Sequence, residues 1–157
     1  MYMKQCTIIL KFAIIQLLVL REYEYLQHYY YNFEFNNNNG LVFCLVGGEC
    51  KISKAWIGNK NYTWLRWAQK FGAATFELNI DFMETASHYR KFDMSTASYQ
   101  YFTIEQVLAD LQTFIEEMNK KFFKNVKHVG IYVVFVGALS ACFRSKYPNM
   151  TLGAISS

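Results

Sequence analysis

Two short apolar runs, each closed by glycine, constrain this chain more than any other feature. Leu41 to Val46 ends at Gly47-Gly48, and His128 to Val136 ends at Gly137. A continuous apolar run of this length, without polar alternation, is the pattern of a strand covered on both faces. Between the two lies the clearest helical signal, from Ile104 to about Phe122. There Ile104, Val107, Leu108, Leu111, Phe114, Ile115 and Met118 recur at three- and four-residue steps and form one apolar face. Glu105, Asp110, Glu116 and Glu117 fall mostly on the other side and read as a solvated face rather than a catalytic pair. Thr103 and Gln106 have capping-box spacing, with the threonine oxygen facing a first-turn amide and the glutamine reaching back. Strand and helix in alternation predict an α/β fold with a mostly parallel sheet and flanking helices.

The remaining segments fit that plan. Tyr29 to Phe35 reads as an aromatic strand and Asn36 to Gly40 as a turn, so a hairpin with Leu41–Val46 is expected. Helical spacing over Asn61 to Phe71 ends at Gly72, where a helix C-terminal glycine belongs. Ala73 to Leu78 is a further strand, and the polar stretch from Asp81 to Tyr101 reads as a long loop. Ala138 to Lys146 is helical in composition, with Pro148 just beyond, and Leu152 to Ile155 begins another strand. With 157 residues, 53% of them hydrophobic, the chain can build one real core and is too apolar for a disordered segment.

The net charge of +4 is dispersed. Its densest part, Lys120, Lys121, Lys124 and Lys127, follows the acidic helix and reads as a solvated helix end, not a nucleic-acid face. The four cysteines, Cys6, Cys44, Cys50 and Cys142, include no C-x-x-C pair and no zinc spacing with histidine. No metal or organic cofactor is expected, and no disulfide framework. Thr7 to Leu20 is apolar after Lys4, too short to span a membrane, and residues 1–26 are expected to be a secretory leader or an N-terminal extension. Two N-x-T sequons, at Asn61 and Asn149, are compatible with secretion and N-glycosylation.

Five stretches resemble one peptidase family in order and spacing. Gln27-His28-Tyr29-Tyr30-Tyr31-Asn32 is similar to a Q-R-Y-Y-x-N opening strand. Val42 to Glu49 is similar to an apolar strand ending in G-G-E-G-P. Trp67 to Ala73 matches an A-x-x-F-G-A helix end, and Thr103 to Leu111 is close to an S-x-E-Q-A-L-A-D-L helix. Phe143 to Pro148, then Gly153 to Ser157, matches F-R-x-K-Y-P followed by G-A-x-A-S-S. Together they resemble the family of prolyl carboxypeptidase, dipeptidyl peptidase II and thymus-specific serine protease. The resemblance implies that residues 27–157 are the N-terminal part of an α/β-hydrolase domain, truncated and incomplete, in a secreted or lysosomal serine exopeptidase. A peptide substrate would belong to an active full-length form.

The same resemblance exposes a chemical gap. Counting back from Phe143-Arg144, Gly137 matches the last glycine of the family's G-G-S-Y-x-G elbow, and Val134 then stands at the nucleophile. Valine has no lone pair with which to attack a carbonyl. A β-branched residue is also ill-suited to the strained backbone of an elbow, at a cost of about 1–3 kcal/mol. Gly47, Gly48 and Glu49 are the candidates for an oxyanion loop, although the tight turn after them has become Cys50-Lys51. The family's E-H-R-x-x-G-x-S segment matches Asn79 to Ala86, where Phe82 alone keeps its character. Ser140 and Cys142 lack flanking glycines and read as packing residues, and His28, His88 and His128 match no catalytic position. The family's aspartate and histidine lie later in its chain than Ser157. The expectation is a serine-peptidase relative without turnover, with a secreted binding protein or a gene fragment as the alternative.

Overall fold

The computed structural model describes residues 3–13, 22–47, 52–79, 103–124, 131–135 and 137–156. Six strands, β1 (Met3–Ala13), β2 (Glu22–Asn32), β3 (Leu41–Val46), β4 (Ala74–Leu78), β5 (Ile131–Phe135) and β6 (Thr151–Ile155), form one sheet in the order β1-β2-β4-β3-β5-β6. From β4 through β6 all pairings are parallel, while β1 with β2 and β2 with β4 are antiparallel. Among the described residues four helices accompany it: α1 (Lys54–Gly58), α2 (Thr63–Phe71), α3 (Ile104–Phe122) and α4 (Gly137–Lys146). The sheet is thus mixed, with a parallel majority. None of the described helices is long and apolar enough to cross a membrane.

Strand alternation divides the core into two layers. Tyr29, Val42, Cys44, Val46, Phe76 and Leu78 pack against Leu108, Leu111, Phe114, Ile115 and Met118 of α3 and Phe143 of α4. Tyr30 and Phe43 point the other way and meet Ile57 of α1 and Trp64, Leu65 and Ala68 of α2. The apolar periodicity of α3 from Leu108 to Met118 is the stripe it buries, whereas Ile104, at its start, is exposed. Aromatic edges fasten that helix to the sheet: Phe114 meets Tyr29 at 5.4 Å and 70°, and Phe76 at 6.0 Å and 82°.

The expected hairpin between Tyr29–Phe35 and Leu41–Val46 does not form. β4 lies between them, paired with Tyr29–Asn32 on one side and Val42–Val46 on the other. All five residues of β4 are buried, so both of its edges need a partner. The asparagine run wraps the entrance to β4 instead of closing a tight turn. Asn37 N–H donates to Gly72 O at 3.1 Å, and the Asn39 side-chain amide donates to Phe71 O at 2.8 Å. Side-chain oxygens of Asn36, Asn37 and Asn39 accept from the amides two residues on, which holds the loop in successive Asx turns.

The helix ends are local devices. Ser53 caps α1, a five-residue helix too short for its pattern to stand out in the sequence. Thr103 Oγ1 accepts from Gln106 N–H at 3.2 Å, but the Gln106 amide donates to Asp110 at 2.9 Å instead of reaching back. Only half of the capping box is made, because an i,i+4 acceptor is nearer to hand. Arg144 Nη1 donates to Pro148 O and Thr151 O, binding the end of α4 to the start of β6. That gives the F-R-x-K-Y-P stretch a structural task.

Ser140 is buried, and its hydroxyl lies 3.0 Å from Gly137 O and 3.1 Å from Ile155 O, as a packing residue would. Cys142, expected to pack, is exposed, because it falls on the outer side of α4. The polar stretch from Asp81 to Tyr101 lies outside the described residues, as do Cys50, His88, Lys127 and His128.

Gly72 tests the wrap around β4. It ends α2 with φ 63°, and an added Cβ would fall 2.3 Å from the Asn37 side-chain amide. Gly72→Ala is expected to destabilise the fold by about 1–3 kcal/mol, from left-handed backbone strain and displacement of Asn37. Urea unfolding of the variant beside the parent checks this.

Candidate active-site edge

In an open α/β sheet, ligands collect beyond the carboxyl ends of the parallel strands. Here that edge gathers the ends of β4, β3 and β5. Gly47 and Gly137 each follow the last paired residues, Leu45 and Phe135, by two positions. The topology therefore brings the first residue of the oxyanion-loop candidate and the candidate elbow glycine to one edge, after neighbouring strands. Gly137 opens α4 with φ 27°, so a strand-to-helix turn is present after β5.

Val134 lies inside β5, in register with Cys44 on one side and Ala154 on the other. The backbone there is sheet, not turn. Gly47 N–H donates to Leu78 O at 2.7 Å, so this amide is already engaged with β4. Gly48 and Glu49 lie outside the described residues, and so does the Asn79–Ala86 match beyond Asn79. Asn79 itself is buried, and its N–H donates to His28 O at 3.0 Å. Asn61 and Asn149 are exposed in turns. Three of the four lysines after the acidic face are described: Lys120 pairs with Glu117 at 2.7 Å, Lys121 donates to the Tyr29 hydroxyl at 2.9 Å, and Lys124 is exposed.

Electrostatically, the residue that stands out at this edge is one the sequence reading passed over. Glu77 is 1% exposed, at the end of β4 beside Leu45 and Tyr30. Its Oε1 accepts from Ser53 N–H at 3.2 Å, while Oε2 is buried without a hydrogen-bond partner among the described residues. Burial raises its pKa to about 7, against the opposing pull of the Ser53 amide. The signal was a lone carboxylate within an otherwise uncharged strand, Ala73 to Leu78. Cys44 is a free, buried thiol whose pKa is raised well above the ordinary range, first by burial and then by the Glu77 charge. That thiol is protonated at neutral pH and is no nucleophile. Among the described residues no group of histidine, cysteine, aspartate and glutamate could hold a metal ion.

Sheet order, crossovers and the placement of this edge are those of an α/β hydrolase in part. A hydrolase from Rickettsia typhi superposes with a TM-score of 0.56 at 14% identity, covering 99% of this chain and 47% of its own. A hydrolase from Agrobacterium vitis S4 gives 0.53 at 9% identity, covering 98% and 50%. The chain belongs to the family described as serine carboxypeptidase S28, whose profile matches residues 19–157. A Caenorhabditis elegans protein named as a serine protease is 41% identical over 132 residues, 83% of this chain and 24% of the relative. An Arabidopsis thaliana protein named as a serine protease is 30% identical over 148 residues, 87% of this chain and 27% of the relative. The chain thus spans about a quarter of the length of these curated relatives.

The tightness of this edge is measurable at Gly47. An added Cβ would meet Ile52 Cγ2 at 3.0 Å and Leu78 O at 3.2 Å. Gly47→Ala is expected to lower stability by about 1–3 kcal/mol through overpacking against the Ile52 side chain and the Leu78 carbonyl. Thermal and urea unfolding of the variant check it.

Proposed function

We propose that this chain is a member of the serine exopeptidase family that does not itself turn over peptide. By resemblance its active kin would be prolyl carboxypeptidases or dipeptidyl peptidases, secreted or lysosomal. The observation that carries the reading is Val134, aligned with the nucleophile yet lying within β5 opposite Cys44 and Ala154. Acyl transfer needs a hydroxyl or thiol raised on a strained turn, where it is exposed to the carbonyl it attacks. A valine in a regular strand supplies neither atom nor geometry. Ser140, the nearest serine along the chain, is buried against two carbonyl oxygens, and Cys44 is buried and protonated. Exposure of Asn61 and Asn149 supports secretion with N-glycosylation.

A non-catalytic binding role is the second reading. It draws on the exposed rings of Trp56 and Trp67 and of Phe71, carried by α1 and α2.

A fluorophosphonate probe, which reports an activated serine, tests the main proposal. Purified protein is expected to remain unlabelled. Val134→Ser alone is also expected to remain unlabelled, since it adds a hydroxyl without an elbow. Covalent labelling of the parent chain would overturn the inactive reading.

A further inference from the structure

The strongest unexplained feature is a carboxyl group sealed between sheet and helix. Glu77 sits on β4 with one oxygen bonded to the backbone amide that starts α1 and the other bonded to nothing among the described residues. Ion pairs elsewhere are exposed, such as Glu34 with Lys60 at 2.5 Å. No described lysine, arginine or histidine forms a salt bridge with Glu77.

We propose that Glu77 is a proton-dependent clasp between β4 and α1, closed while its carboxyl is protonated and loosened when it ionises. The reasoning starts from desolvation. A carboxylate taken out of water needs charge partners or several donors, and a single N–H is too little compensation. A neutral carboxyl can keep the Ser53 N–H on its carbonyl oxygen and leaves no charge uncompensated. Ionisation therefore favours an arrangement in which water reaches the buried oxygen, which requires Ser53 and the start of α1 to move from β4.

Among the described residues no charged side chain bonds to Glu77, and the titratable groups on the same face of β2 are Tyr30 and, two residues before it, His28. Tyr30 faces Glu77 from β2 as its register partner, and it is buried in the apolar layer with Ile57 and Trp64. Leu45 is its neighbour on β3, and Cys44 beside it packs into the other layer. From α1, Ile57 is buried and apolar, and Lys54 is exposed. On β4 itself the flanking Thr75 donates its hydroxyl to Asn32 O.

The sign follows from where the proton is held. Folding raises the Glu77 pKa from 4.5 to about 7, so between these values the folded chain keeps a proton that the unfolded chain has released. The stability contribution is full below the unfolded value and is lost as pH rises through the folded one. The clasp thus favours an acidic medium. It does not depend on the peptidase reading.

Two measurements test it. In urea unfolding from pH 5 to pH 8, the parent is expected to show an unfolding constant that rises on the order of tens-fold more than that of Glu77→Gln, which keeps the acceptor without the charge. Parallel pH profiles of parent and variant would overturn the clasp. If Glu77→Gln does not fold, the parent alone decides, through the carboxyl carbon of Glu77 and hydrogen exchange at Ser53 followed by NMR. A Glu77 midpoint near neutrality, with Ser53 exchange accelerating through it beyond the intrinsic pH dependence, supports the proposal. A midpoint in the ordinary carboxylate range, or Ser53 exchange indifferent to it, overturns it.

Discussion

The complete burial of β4 is the constraint on which the rest depends. Its five residues are covered on both faces and paired along both edges. Such a strand cannot exist before its partners do. It requires β2 antiparallel on one side, β3 parallel on the other, α3 above and α1 with α2 below. The Asn36–Gly40 loop, the left-handed Gly72 and the close approach at Gly47 are all consequences of admitting that strand to the middle of the sheet.

Much of this was legible in the sequence wherever burial imposes a period or a run. Of the seven apolar positions of α3, the five from Leu108 to Met118 are buried because that helix has one dry face, while Ile104 in its first turn is exposed. β3 is an apolar run because an interior strand of the sheet has two dry faces. The pairing of β2 was not legible. A turn-like asparagine run between two strand-like segments describes a hairpin and a wider detour equally well, and only the claim of β4 on both neighbours decides between them. α1 escaped because five residues carry too little periodicity to register. Glu77 escaped because one charge in an apolar strand reads as an edge feature until the cover on that side is known.

The family relationship was legible from five motifs in register, and the structure accounts for why some of them persist. Arg144 bonds the end of α4 to the start of β6, Thr103 caps α3, and Gly72 turns the chain from α2 into β4. These are demands of packing. At the carboxyl edge of the sheet the demands of packing are still met, by Gly47 against Leu78 and by Gly137 opening α4. Val134 lies within β5, in regular strand pairing with Cys44 and Ala154.

The edge-on rings joining α3 to the sheet govern how that helix can move. Tyr29, Phe76 and Phe114 hold it at its middle, and Phe33 meets Phe122 near its end at 5.1 Å and 87°. A helix pinned at two points along its axis cannot slide or roll across the strands without breaking both contacts together, so α3 and β4 move as one body.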